Sequence, residues 1–167
     1  MRGIGLAGWS GAGKTTLLTR LIPHLTGRGL RVSTIKHAHH AFDVDIPGKD
    51  SWRHREAGAT EVLVSSAHRF ALMHELRNER EPELQELLAR MAPVDLVIVE
   101  GFKRASHRKI EVYREALGKP MLHPGDRAIV GIASDPEMET ALPTAHLDDV
   151  ERISTMVLAA AAPLIAG

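Results

Sequence analysis

The octapeptide Gly8-Trp9-Ser10-Gly11-Ala12-Gly13-Lys14-Thr15 carries the clearest chemistry in the chain. It fits G-x-x-x-x-G-K-[ST] in full, the pattern of a loop that wraps phosphate groups. Glycines at 8, 11 and 13 let the backbone turn sharply, so N–H groups around Ser10, Ala12 and their neighbours converge on an anion. Lys14 brings a point charge to the terminal phosphates and Thr15 a hydroxyl to Mg²⁺, and Thr16 completes the set of phosphate-binding residues. The helix that starts here turns its positive end toward the same spot. A nucleoside triphosphate is the expected ligand.

Such a loop works with a carboxylate near the metal, at the end of a buried strand. Leu96-Val97-Ile98-Val99-Glu100-Gly101 provides one, and Glu100 is assigned to Mg²⁺, directly or through a water. It stands with Lys14 as the candidate catalytic pair. Gly101 lets the backbone approach closely there. Asp95 opens the same strand and should lie roughly 17 Å away at the opposite edge, out of reach.

The passage Lys36-His37-Ala38-His39-His40, with Asp43, Asp45 and Pro47-Gly48-Lys49-Asp50-Ser51 beyond it, allows three readings. It can border the nucleotide as a switch-like loop, with Asp45 or Asp50 helping to hold Mg²⁺ and Lys36 or Lys49 meeting phosphate. It can bind a transition metal through His37, His39, His40 and Asp43, although the spacing is not that of a defined cage. It can also be plainly polar and solvated. A second basic run, Lys103, Arg104, His107 and Arg108, follows Glu100-Gly101-Phe102 and offers an anion a place to dock.

The elements that must position these residues alternate between apolar runs and helical periodicity, the pattern of an α/β sheet protein with helices on both faces. Strands are expected at Ile4–Ala7, Arg31–Lys36, Glu61–Ser65, Phe70–His74, Asp95–Glu100 and Ala128–Ala133. Lys109–Arg114 alternates charged and apolar residues and is expected as an edge strand, a candidate place for two chains to pair. Helices are expected after the phosphate loop, over 50–57, around Leu84–Met91, and from Asp148 through Leu164. One nucleotide-binding domain covering residues 1–167 fits this length.

Lys plus Arg and Asp plus Glu stand at 21 each, giving a net charge of zero and no basic excess for nucleic acid. Without cysteine there are no disulfides or thiolate metal sites, compatible with a reducing cytoplasm. The phosphate-loop strand begins at once, leaving no room for a signal peptide. The C-terminal apolar tract is too short to cross a bilayer.

Taken together, the phosphate loop, Lys36-His37-x-His39-His40, Asp43-x-Asp45-x-Pro47-Gly48-Lys49-Asp50-Ser51, Ala57-Gly58-Ala59 and Asp95–Lys103 resemble the MobB family, adaptors of molybdopterin-guanine dinucleotide biosynthesis. The resemblance implies a P-loop NTPase-like fold, GTP with Mg²⁺ as ligands, and weak intrinsic turnover. It also implies a homodimer in the cytoplasm that assists the guanylyltransferase joining GMP to molybdopterin, with molybdopterin itself a further candidate ligand. The guanine signature Asn-Lys-x-Asp is missing. Its nearest counterpart is Gly131-Ile132-Ala133-Ser134-Asp135, where Asp135 either accepts from guanine or caps a following helix.

Two other functions use the same loop. A small-molecule kinase would close an arginine-bearing lid, for which Arg77-Asn78-Glu79-Arg80 is the nearest segment. A metallochaperone-type GTPase would load a metal on the histidine loop. With no water-orienting residue and no arginine finger evident, hydrolysis is expected to be slow, near about 10⁻⁴ s⁻¹.

Overall fold

The structure is a computed structural model that describes residues 1–38, 42–102 and 105–164; His39, His40, Lys103 and Arg104 lie outside the described residues. In chain order the elements are β1 (Arg2–Ala7), α1 (Lys14–Gly27), β2 (Val32–Lys36), α2 (Asp50–Glu56), β3 (Glu61–Ser65), β4 (Phe70–His74), α3 (Leu84–Ala89), β5 (Leu96–Glu100), β6 (Lys109–Tyr113), a 3-10 turn (Glu115–Leu117), β7 (Ile129–Ser134), β8 (Thr144–His146), α4 (Val150–Ala160) and β9 (Ala162–Pro163). The chain divides into two compact units: Met1–His37 with Leu84–Gly167, and Ala38–Glu83.

In the first unit the strands lie in the order β2-β5-β1-β6-β7-β8, and each of these neighbours pairs in parallel. β9 adds an antiparallel pair at the amino end of β1, Arg2 opposite Pro163 and Gly3 opposite Ala162. Strand β5 shows why its sequence reads as one continuous apolar run. Leu96 and Ile98 pack on one face with α1 and α4, through Leu17, Leu21, Leu25, Ile153 and Val157. Val97 and Val99 pack on the other with Leu84 and Leu88 of α3. Alternate residues enter separate cores, so none of the four positions before Glu100 is left for solvent. The expected α/β architecture with a mostly parallel sheet is therefore present.

Two expectations need correction. Lys109–Tyr113 is not an edge strand: β6 lies between β1 and β7, so its edges are already paired and cannot join two chains. Its charged residues are buried with partners rather than facing solvent. Lys109 Nζ meets Asp126 Oδ2 at 2.9 Å, and the Glu111 carboxylate accepts the N–H groups of Leu122 and His123 at 2.6 and 2.9 Å. The final helix stops at Ala160 rather than running through Leu164. Pro163 disfavours helical geometry in the residue before it, and the chain turns back onto β1 instead.

The second unit holds α2 and the antiparallel β3–β4 hairpin, with Leu63 opposite Leu72 and Ser65 opposite Phe70. Those residues share one face by the two-residue period, and Leu63, Phe70 and Leu72 are all exposed. From the helix, Arg55 gathers Asp43, Asp45 and Glu75 at 2.7, 3.2 and 2.7 Å. Among the described residues no helix is long and apolar enough to cross a membrane.

Candidate functional site

Parallel registry brings the chemistry together at the carboxyl end of the sheet. Leu6 of β1 stands opposite Glu100 of β5, and Lys36 of β2 stands opposite the same Glu100. From the end of β1 the chain enters the phosphate loop. Gly8 has φ +150°, and a Cβ there would come within 2.5 Å of the Val112 carbonyl, so only glycine fits against β6. Gly13 then serves as the N-cap of α1, whose first residues are Lys14, Thr15 and Thr16.

Lys14 Nζ donates to the carbonyls of Gly8 at 2.8 Å and Trp9 at 3.0 Å, bridging the loop's own backbone. An open cleft of about 350 Å³ is lined by Ser10, Gly11, Gly13, Lys14, Thr15, Thr16, Lys36 and Glu100. Ala12 lies beneath it, buried in the core. Lys36 Nζ approaches Glu100 Oε1 at 3.9 Å, a long ion pair that an incoming charge can readily rearrange. Ligands of open α/β sheets bind at this end.

The turn after Glu100 is fixed by close packing. Gly101 has φ +96°, and a Cβ there would meet the His37 carbonyl at 2.7 Å. The His37 N–H donates to the Glu100 carbonyl at 2.8 Å, and its ring lies 5.1 Å from that of Phe102. His37 thus belongs to the junction where β2 and β5 end. The hydroxyl of Thr15 and the Glu100 carboxylate are hard oxygen donors in one cleft, a set that fits Mg²⁺ sharing its remaining positions with phosphate and water. Among the described residues no group of three or more His, Asp or Glu side chains is arranged to hold a metal by itself.

The other sequence candidates divide between places. Asp95 is at the amino end of β5, where it accepts the Arg31 N–H at 2.8 Å. Asp45, Lys49 and Asp50 belong to the second unit. Asp45 accepts from Ile46 N–H, Ser51 Oγ and Arg55 Nε, so its carboxylate holds the loop onto α2. The Asp45 N–H and then Arg55 hold the Asp43 carboxyl below its usual range. Lys49 is the N-cap residue of α2 and Asp50 begins the helix, both exposed. Arg77 donates to the carbonyls of Arg55 and Ala59 within the same unit.

Asp135 follows β7 at the carboxyl end of the sheet, and residues 136–143 form no helix for it to cap. Its Oδ1 accepts the Glu115 N–H at 2.9 Å, and its Oδ2 lies 3.8 Å from Arg114. Arg114 was not apparent from the sequence. It directly follows a strand adjacent to β1, the one signal that could have singled it out. A larger concavity, about 610 Å³, lies around Lys109, Asp126 and Arg127 at the amino ends of β6 and β7. His107 packs beside Gly5 nearby, and burial followed by the Lys109 charge pushes its pKa down to about 4.

The family described as Molybdopterin guanine dinucleotide synthesis protein B matches residues 4–135. The molybdopterin-guanine dinucleotide biosynthesis adapter protein of Escherichia coli (strain K12) is 44% identical over 158 residues, covering 93% of this chain and 90% of that protein. Its counterpart in Haemophilus influenzae is 38% identical over 157 residues, covering 92% and 86%. A crystal structure of molybdopterin-guanine biosynthesis protein B superposes with a TM-score of 0.75 at 30% identity, covering 94% of this chain and 98% of that chain. Bacillus subtilis MobB superposes with a TM-score of 0.73 at 25% identity, covering 95% and 97%.

Proposed function

The chain belongs to the molybdopterin guanine dinucleotide synthesis protein B family, and on that premise we propose that it is a GTP-binding adapter in molybdenum cofactor maturation. The observation that carries this reading is the cleft in which a complete phosphate loop, its lysine included, faces Glu100. In this reading one nucleotide-binding domain, interrupted along the chain by Ala38–Glu83, presents GTP to the guanylyltransferase that builds the dinucleotide. It does so in the cytoplasm, and molybdopterin is a candidate second ligand of the assembly.

Lys14 gives up the Gly8 and Trp9 carbonyls for phosphate oxygens, and the N–H groups at the start of α1 hold the same anion. Thr15 and Glu100 would hold Mg²⁺, which when bound supplies charge neutralisation along the phosphates. Lys36, freed from Glu100, can turn to the phosphates. Asp135 has one oxygen engaged by Glu115, leaving Oδ2 to meet either guanine or Arg114. Slow hydrolysis accords with an adapter whose partner carries out the transfer.

The homodimer is part of the same proposal. A lone two-stranded sheet is marginal in water, and this one exposes Leu63, Phe70 and Leu72 on a single face. A second copy of the hairpin supplies a matching apolar cover. Calorimetric titration with GTP and ATP in the presence of Mg²⁺ tests the ligand. GTP preference lost in Lys14→Ala supports the adapter reading, whereas preference for ATP together with phosphate transfer to a small acceptor turns it into a kinase. A turnover of several per second by the isolated chain overturns the slow-hydrolysis part.

A further inference from the structure

We propose that Arg114 is a ligand of the nucleotide's phosphate chain, set in place by Asp135, so that the site carries its own arginine. This rests on the reading of the cleft as a triphosphate site and adds to it a residue that the phosphate-loop pattern does not contain.

Position comes first. β6 pairs in parallel with the carboxyl half of β1, Gly5 to Ala7, so both strands deliver their next residues to the same end of the sheet. From β1 that residue is Gly8; from β6, one residue past Tyr113, it is Arg114. Its guanidinium lies 3.4 Å from where a Cβ on Gly13 would stand. Gly13 lines the cleft and caps α1, which places Arg114 beside the turn where the helix begins.

Charge makes that position informative. The start of a helix carries partial positive charge, and Lys14 is already there. A guanidinium added at the same place is repelled by both. Among the described residues its one ion-pair partner is Asp135 at 3.8 Å, too long for a strong pair, and the other oxygen of that carboxylate is engaged by the Glu115 N–H. The weakly paired guanidinium beside Gly13 is stabilised by an incoming anion. A guanidinium suits phosphate especially well because its planar donors can meet two oxygens at once. The Arg114 side chain is 42% exposed, so it is not locked in the interior and can reach outward.

Asp135 is then a positioning residue. By accepting from Glu115 it fixes the backbone just after Arg114, and its second oxygen stands 3.8 Å from the guanidinium. A base-reading aspartate and a positioning aspartate make different demands. The first affects only ligands that carry guanine, while the second affects every ligand that carries phosphates.

The test is calorimetry with Mg²⁺, using GTP directly and inorganic triphosphate both directly and as a competitor, on wild type, Arg114→Ala, Arg114→Lys and Asp135→Asn. Losing a charge-assisted contact should weaken GTP and inorganic triphosphate by the same factor, roughly tenfold to a hundredfold, in Arg114→Ala. Arg114→Lys should recover part of the loss, and Asp135→Asn should weaken both ligands by a smaller factor. Unchanged affinity in Arg114→Ala overturns the proposal. So does weakening of GTP alone, or wild type that binds GTP while inorganic triphosphate cannot compete. Wild type that binds neither ligand overturns the triphosphate reading instead. Thermal unfolding of each variant separates a lost contact from a lost fold, with Arg114→Lys as the milder change.

Discussion

The indole N–H of Trp9 donates to the carbonyl of Pro120 at 2.7 Å, fastening the second residue of the phosphate loop to the segment after the 3-10 turn. Two residues on, the same segment is held from beneath, because Leu122 and His123 donate their N–H groups to the buried carboxylate of Glu111. The phosphate-loop motif is thereby braced by an interior strand through a short external strap.

Nucleotide binding should be visible at that strap. Lys14 leaves the Trp9 carbonyl when it turns to phosphate, which alters the peptide carrying the indole. The chain has two tryptophans, so Trp52→Phe isolates Trp9. Saturating GTP with Mg²⁺ should change Trp9 emission in that variant; an unchanged spectrum despite calorimetric binding would contradict the coupling.

Glu111→Ala should destabilise the first unit strongly. Two partly buried N–H groups lose their acceptor at once, each costing up to about 1 to 3 kcal/mol. The expected loss is therefore up to about 2 to 6 kcal/mol by denaturant unfolding, with Glu111→Gln losing less because one carbonyl oxygen remains. A loss below about 0.5 kcal/mol in the alanine variant would mean that the strap carries little.

His107 predicts a direction with pH. In the folded chain it stays neutral down to about 4, because burial and then Lys109 oppose its charge, whereas the unfolded chain takes up that proton near 6.5. Between those values the unfolded state binds more protons, so stability falls as pH drops from 6.5 toward 4. His107→Gln should flatten that part of the melting-temperature profile. An identical slope in the variant would exclude His107 as its source.

His74 runs the other way. Its ring nitrogens meet Glu61 at 2.7 Å and Glu79 at 3.2 Å, and those bonds raise its pKa, Glu61 first. A raised folded pKa gives stability that is complete below 6.5, while the glutamates are ionised, and is lost as pH rises through the folded value. NMR titration should find the His74 midpoint above 6.5 and bring it down in Glu61→Gln. A midpoint unaffected by that substitution would remove Glu61 as the cause.

Self-association should depend on the hairpin face. Leu72→Glu places a charge beside Leu63 in the middle of the exposed apolar patch and should shift the chain to monomer in light scattering at micromolar concentration. Lys14→Ala should leave the mass unchanged. A Leu72→Glu chain that keeps the wild-type mass would put the interface elsewhere.

The phosphate loop was legible because its chemistry needs fixed residue types at fixed spacing. β5 was legible because burial on both faces leaves a continuous apolar run. β6 was misread for the complementary reason: Lys109 and Glu111 alternate with Ile110 and Val112 as a half-exposed strand would, but Asp126 and two loop amides hold those charges inside. Such partners are distant in sequence and leave no local trace. β8 and β9 are too short to carry a period, and the end of α4 was blurred by alanines that suit a helix as well as a stop. Arg114 belongs to no motif; only the strand order puts it beside Gly13.

That strand order also governs when the site can come into being during synthesis. β1 is made before the other strands of its sheet, yet β2, the next strand made, does not pair with it. Its neighbours β5, β6 and β9 all arrive much later. At roughly 5 to 20 residues per second, the phosphate octapeptide waits on the order of ten seconds for the strands that flank it. A nascent chain that stops short of β6 has every residue of the phosphate motif and no Val112 carbonyl for Gly8 to close against. The octapeptide therefore takes up its final backbone shape only in molecules whose sheet has been assembled.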